Sequence, residues 1–114
     1  MKRFVFIGLL MLVFSASMAL AATINCANQS GRHCYGTNQN DTITGTRRSE
    51  VIHGKGGNDT IYGKGKGDTL LGSSGRDRLF GGPGNDLLYG GPGRDRCVGG
   101  KGTDRFRSCE SKKQ

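Results

Sequence analysis

The stretch from Gly81 to Arg107 reads GGPGNDLLY, GGPGRDRCV, GGKGTDRFR. Written in lines of nine, it places glycine first, an aspartate sixth and an apolar residue eighth in every line. The same cut runs back without insertion to Gly36 through GTNQNDTIT, GTRRSEVIH, GKGGNDTIY, GKGKGDTLL and GSSGRDRLF. Eight units therefore fill residues 36–107 (8 × 9 = 72). Glycine opens all eight and recurs at the fourth place in five. The eighth place holds Ile43, Ile52, Ile61, Leu70, Leu79, Leu88, Cys97 and Phe106. A short exact period of this kind marks a stacked repeat rather than an ordinary globular core.

The acids carry the sharpest signal. Of the nine Asp and Glu in the chain, eight stand at position six: Asp41, Glu50, Asp59, Asp68, Asp77, Asp86, Asp95 and Asp104. Glu110 alone falls outside the eight units. A solvated loop scatters its charges; confinement to one phase puts each carboxylate in an equivalent place.

Within a unit, six glycine-rich residues make a wide turn, since glycine accepts positive φ and close backbone approach. Three residues then extend, with the apolar middle one facing inward. Such a strand has no stability alone, so copies must stack and bury the Ile/Leu column. Two units complete one coil, and equivalent sites recur every 18 residues. The expected fold is all-β: a right-handed parallel β-roll, with two short-stranded sheets back to back.

Stacking then aligns the acids in two ladders, one through Asp41, Asp59, Asp77 and Asp95, the other through Glu50, Asp68, Asp86 and Asp104. Neighbours on a ladder fall about 4.8 Å apart, the strand spacing, and need positive charge between them. Calcium, which takes six to eight oxygens at about 2.3–2.6 Å, suits carboxylates joined by inward-turned glycine carbonyls. Arginine is the competing counter-charge, because Arg76, Arg78, Arg94, Arg96 and Arg105 flank their aspartates. Surface ion pairs at about 0–1 kcal/mol each are weak means of ordering so glycine-rich a chain, which favours the metal.

The units resemble the Gly-Gly-x-Gly-x-Asp-x-apolar-x nonapeptides of the haemolysin-type, or repeats-in-toxin, calcium-binding proteins, most closely in GGPGNDLLY, GGPGRDRCV and GGKGTDRFR. The resemblance implies a calcium-loaded β-roll in which each ion lies between neighbouring turns. Carried onto this chain, the metal residues are Asp59, Asp68, Asp77, Asp86, Asp95 and Asp104. The loop glycines that go with them are Gly54 and Gly57, Gly72 and Gly75, Gly81 and Gly84, Gly90 and Gly93, and Gly99 and Gly102. The best sites join Asp59 with Asp77, Asp77 with Asp95, Asp68 with Asp86, and Asp86 with Asp104. That gives about four good Ca2+ sites and up to six in all. Asp41 and Glu50 are expected to be weaker ligands, because Gln39 and Arg48 replace the fourth-place glycine in their units. Lys66 makes the same replacement beside Asp68.

The rest of the chain sets the context. With 114 residues, 21 of them glycine, and no tryptophan, it has no room for a large catalytic domain. Residues 1–21 read as a secretory leader: Met1-Lys2-Arg3, an apolar run from Phe4, and small residues ending Ala19-Leu20-Ala21. Residues 22–35 are expected to cap the start of the roll, and 108–114 to form a C-terminal cap and tail. The even cysteine count suits two disulfides in an exported chain. Three pairings are possible, and the distribution along the chain favours Cys26–Cys34 and Cys97–Cys109. The sequence points to a secreted, extracellular, non-enzymatic calcium binder with no membrane span in its mature form. His33 and His53 are the only histidines and lack a partner nucleophile.

After the leader, 15 Lys and Arg face 9 acids, a net charge of +6 (17 − 2 = 15; 15 − 9 = 6). Arg76 should stack on Arg94 and Arg78 on Arg96. That ladder suggests, as alternatives, an adhesion module binding extracellular polyanions, or an accessory subunit of an exported enzyme. Nothing in the pattern reads nucleic-acid sequence.

Overall fold

The computed structural model describes residues 20–114. The leader expected over 1–21 lies, except for its last two residues, outside the described residues. Eleven strands of three residues follow one another: β1 Thr23–Asn25, β2 His33–Tyr35, β3 Thr42–Thr44, β4 Val51–His53, β5 Thr60–Tyr62, β6 Thr69–Leu71, β7 Arg78–Phe80, β8 Leu87–Tyr89, β9 Arg96–Val98, β10 Arg105–Arg107 and β11 Ser111–Lys113. Odd strands form one sheet in the order β1-β3-β5-β7-β9-β11, and even strands the other in the order β10-β8-β6-β4-β2. Every pairing is parallel, so the chain passes from sheet to sheet at each turn. This is the parallel β-roll that the nine-residue period predicts.

The register is the repeat made spatial. Ile43 pairs with Ile61, Ile61 with Leu79 and Leu79 with Cys97. On the other sheet Cys34 pairs with Ile52, Ile52 with Leu70, Leu70 with Leu88 and Leu88 with Phe106. The six eighth-place residues from Ile43 to Leu88 are all 0 % exposed. Burying each contributes about 1.5–3 kcal/mol, and a one-residue slip would turn the whole column outward.

Two backbone bonds per turn lock the phase. The first-place N–H donates to the ninth-place carbonyl one coil on, as Gly54 does to Leu71 (2.8 Å) and Gly72 to Tyr89 (2.9 Å). The seventh-place N–H donates to the acid's carbonyl one coil back, as Arg78 does to Asp59 (2.8 Å) and Arg96 to Asp77 (2.9 Å). Ninth-place side chains line the outer faces: Tyr62 and Tyr89 are exposed, while Leu71, Phe80 and Val98 are half-buried. His53, expected to face solvent, is half-buried and stacks on Tyr35 at 5.1 Å between ring centres.

The ends extend the roll beyond the eight units. Residues 22–35 add β1 and β2, one strand to each sheet, and the tail adds β11. Cys26–Cys34 ties the turn between β1 and β2, with Cα atoms 5.4 Å apart. Cys97–Cys109 fastens the tail to the inward column, with Cα atoms 6.0 Å apart. Both pairings are those that the spacing along the chain favours.

Candidate metal centre: two carboxylate ladders

The two ladders form as the period predicts, and their side chains point into the roll. Asp59, Asp68, Asp77, Asp86 and Asp95 are all at most 2 % exposed. One oxygen of each is held by the backbone, since Oδ1 accepts the N–H of the acid one coil back. Asp59 N–H donates to Asp77 Oδ1 (2.8 Å), Asp77 N–H to Asp95 Oδ1 (2.8 Å), Asp68 N–H to Asp86 Oδ1 (2.7 Å) and Asp86 N–H to Asp104 Oδ1 (2.9 Å). The four pairs singled out from the sequence are thus joined directly.

The other oxygen has no partner. Oδ2 of Asp59, Asp68, Asp77, Asp86 and Asp95 is buried and accepts no hydrogen bond. The flanking arginines therefore do not neutralise the ladders; those at Arg76, Arg78, Arg94 and Arg96 point to solvent. Buried polar atoms are ordinarily satisfied, so five such oxygens in register call for a counter-charge from outside the chain.

The glycines bring further oxygen close. A Cβ added at Gly72 would lie 2.5 Å from Asp77 Oδ2 and 2.8 Å from the Gly90 carbonyl oxygen. Only a residue without a side chain lets those two oxygens approach the same place. The fourth-place glycines serve the stacking of the turns: Gly75 has φ +118°, and a Cβ there would collide with the Gly57 carbonyl.

The electrostatics follow from this burial. Burial pushes the Asp77 and Asp68 carboxyls up to about 7, and Asp59 up to about 6. The bond from the backbone N–H pulls each partly back, and the neighbouring ladder acids raise them further. Asp86 and Asp95 are raised for the same leading reason. Among the described residues no three His, Cys, Asp or Glu side chains converge on one point. A cation held here would draw on paired carboxylates and backbone carbonyls, the hard oxygen set that suits calcium. The donor chemistry fits that ion.

The remaining acids differ. Both Asp41 oxygens accept from Thr37: the N–H reaches Oδ2 at 2.6 Å, and the hydroxyl reaches Oδ1 and Oδ2 at 2.9 Å. Thr46 serves Glu50 in the same way, N–H to Oε2 at 2.7 Å and hydroxyl to Oε1 at 2.8 Å. Asp104 is half-buried, and its Oδ2 accepts from the Gln114 side-chain amide at 2.9 Å. These partners were missed from the sequence, although threonine at second place in the first two units was a readable signal.

Two more sixth-place residues were also missed. Val51 N–H donates to the Arg32 carbonyl (2.7 Å), and Ser111 N–H to that of Asp95 (3.2 Å). Arg32 thus stands one step before Glu50, and Glu110 one step beyond Asp95. Counting from glycine hid both, because neither turn begins with one in phase; counting back from the strand would have found them.

Comparison with known families agrees with this geometry. The model for the RTX calcium-binding nonapeptide repeat (4 copies) matches over residues 35–70 and again over 71–106. Two matches of four copies give the eight units counted from Gly36 (2 × 4 = 8). No curated protein and no solved structure matches the chain. Register, inward acids and repeat model together show that the chain belongs to the RTX calcium-binding nonapeptide repeat family.

Proposed function

We infer that this protein is a secreted calcium-binding scaffold without catalytic activity, whose roll is ordered by calcium outside the cytoplasm. The observation that carries the reading is the row of five buried, unpartnered Asp Oδ2 atoms. Ionised and unbridged, they oppose folding; bridged by divalent ions, they hold successive coils together. The ligands are Asp59, Asp68, Asp77, Asp86, Asp95 and Asp104 with loop-glycine carbonyls, in about four sites. Two disulfides and the leader-like residues 1–21 support an oxidising destination. All four cysteines are bonded, which leaves no thiol nucleophile. Circular dichroism and thermal melting, with calcium and with chelator, test this. The strand signal and melting temperature should both fall on chelation, and an unchanged melt rejects the reading.

A second reading rests on the register of Arg78 beside Arg96, both exposed on the outer face of the odd-strand sheet. Stacked, like-charged guanidinium groups favour an extracellular polyanion as partner. Salt-dependent retention on heparin that is lost when Arg76, Arg78, Arg94 and Arg96 become alanine supports it. Retention that ignores both changes excludes it.

A further inference from the structure

The even-unit turns depart from the repeat at one corner, and both departures are cations. Fourth place is glycine in five of the eight units. In the stacked second and fourth units it is Arg48 and Lys66, 18 residues apart. Lys66 occupies a left-handed backbone, φ +61°, the conformation that glycine takes at this place in five other turns. A lysine is disfavoured there, and such local rule-breaking marks places where something other than folding sets the residue.

Stacking brings a third cation to the same corner. Arg32 holds the sixth place one coil before Glu50, where the ladder elsewhere has an acid. Arg32, Arg48, Ser49 and Lys66 line a depression of about 220 Å3. All four are exposed, and no acidic side chain contributes to the lining. The nearby acids are engaged or turned inward. Both Glu50 oxygens accept from Thr46. Asp68 Oδ1 accepts from the Glu50 N–H (2.9 Å), and its Oδ2 has no partner. The cations are therefore not serving as counter-ions to the ladder.

We propose that Arg32, Arg48 and Lys66, with the Ser49 hydroxyl, form a binding site for a sulfate-type oxyanion at this corner. Two planar guanidinium forks, one ammonium and one hydroxyl offer more donors than a single carboxylate can use, and match a tetrahedral oxyanion. The group can be a free ion or a sulfate ester on a polysaccharide. The site lies apart from the arginine ladder of β7 and β9 and does not depend on the calcium reading.

The test is a site-resolved NMR titration of the full oxidised protein, in calcium, with sodium sulfate and separately with heparin, at ionic strength held by sodium chloride. Saturable shifts centred on the amides of Arg32, Arg48, Ser49 and Lys66 are expected. Arg48→Gly with Lys66→Gly should weaken the response about tenfold. These changes restore the repeat's own residue, and Lys66→Gly relieves a left-handed backbone, so the roll is retained; unchanged shifts elsewhere verify that. A response to sulfate identifies the free ion as sufficient, and a response to heparin alone identifies the polymer-borne ester. Shifts no larger than with sodium chloride, shifts centred on another face, or a response unaltered in the double variant would overturn the proposal.

Discussion

The first two repeat units and the six that follow hold the same carboxylate at the same place, yet satisfy it differently. In residues 36–53, Thr37 and Thr46 supply an N–H and a hydroxyl to Asp41 and Glu50, so those acids are complete within the chain. From Gly54 onward the second place is Lys, Ser or Gly, in the left-handed region, and the donor is gone. The Oδ2 atoms of Asp59 through Asp95 are left bare. One threonine per turn thus separates a self-contained coil from one that needs a cation. The first coil, with its Cys26–Cys34 clip, is a metal-independent seed on which the later coils stack.

The largest expected effect is on chelation. Hydrogen exchange should show amides of 54–107 losing protection when calcium is removed, while those of 33–53 keep most of theirs. Uniform loss along the chain would erase the distinction. Next comes the ladder itself. Asp77→Ala leaves the Asp59 N–H without its acceptor, a cost of about 1–3 kcal/mol, and should lower the number of calcium ions bound. Asp41→Ala should leave that number unchanged. Calcium titration of the two variants, with urea unfolding of each, compares them directly.

A smaller effect separates the two regions by pH. The raised carboxyls of Asp59, Asp68 and Asp77 favour the protonated folded form. Their contribution in metal-free protein is complete below about pH 4. It is lost as pH climbs through about 6 to 7. Metal-free protein should therefore melt higher at pH 4 than at pH 8, and saturating calcium should reverse the order. The smallest effect is Thr46→Val, which removes one hydroxyl donor from Glu50 at a cost of about 1 kcal/mol. That cost should be equal with and without calcium; dependence on the ion would mean that Glu50 is a ligand after all.

Much of this was legible in the sequence. The nine-residue period with a single inward residue per strand dictates the sheets, the register and the Ile/Leu column, because only one phase buries Ile43 through Leu88 together. The same phase dictates the ladders. What the period could not disclose is which oxygen of each acid is taken. That depends on the backbone N–H one coil away and on the second-place side chain, and both require the turn's conformation. The ends were illegible for another reason. The β1 register is offset by 19 residues (Ile24 to Ile43), and that of β11 by 15 (Cys97 to Lys112). A count in eighteens cannot reach Arg32 and Glu110 through such irregular turns, and they emerge only from strand pairing.

The most direct test of the central claim is isothermal titration of calcium into the oxidised protein near neutral pH, beside a variant with Asp59, Asp77 and Asp95 changed to asparagine. The structure predicts saturable uptake of several ions by the parent at the roughly millimolar levels found outside cells. In the variant, one ladder's share should be lost. No heat and no uptake by the parent, or equal uptake by both proteins, would contradict the assignment of the bare Asp oxygens as the calcium ligands.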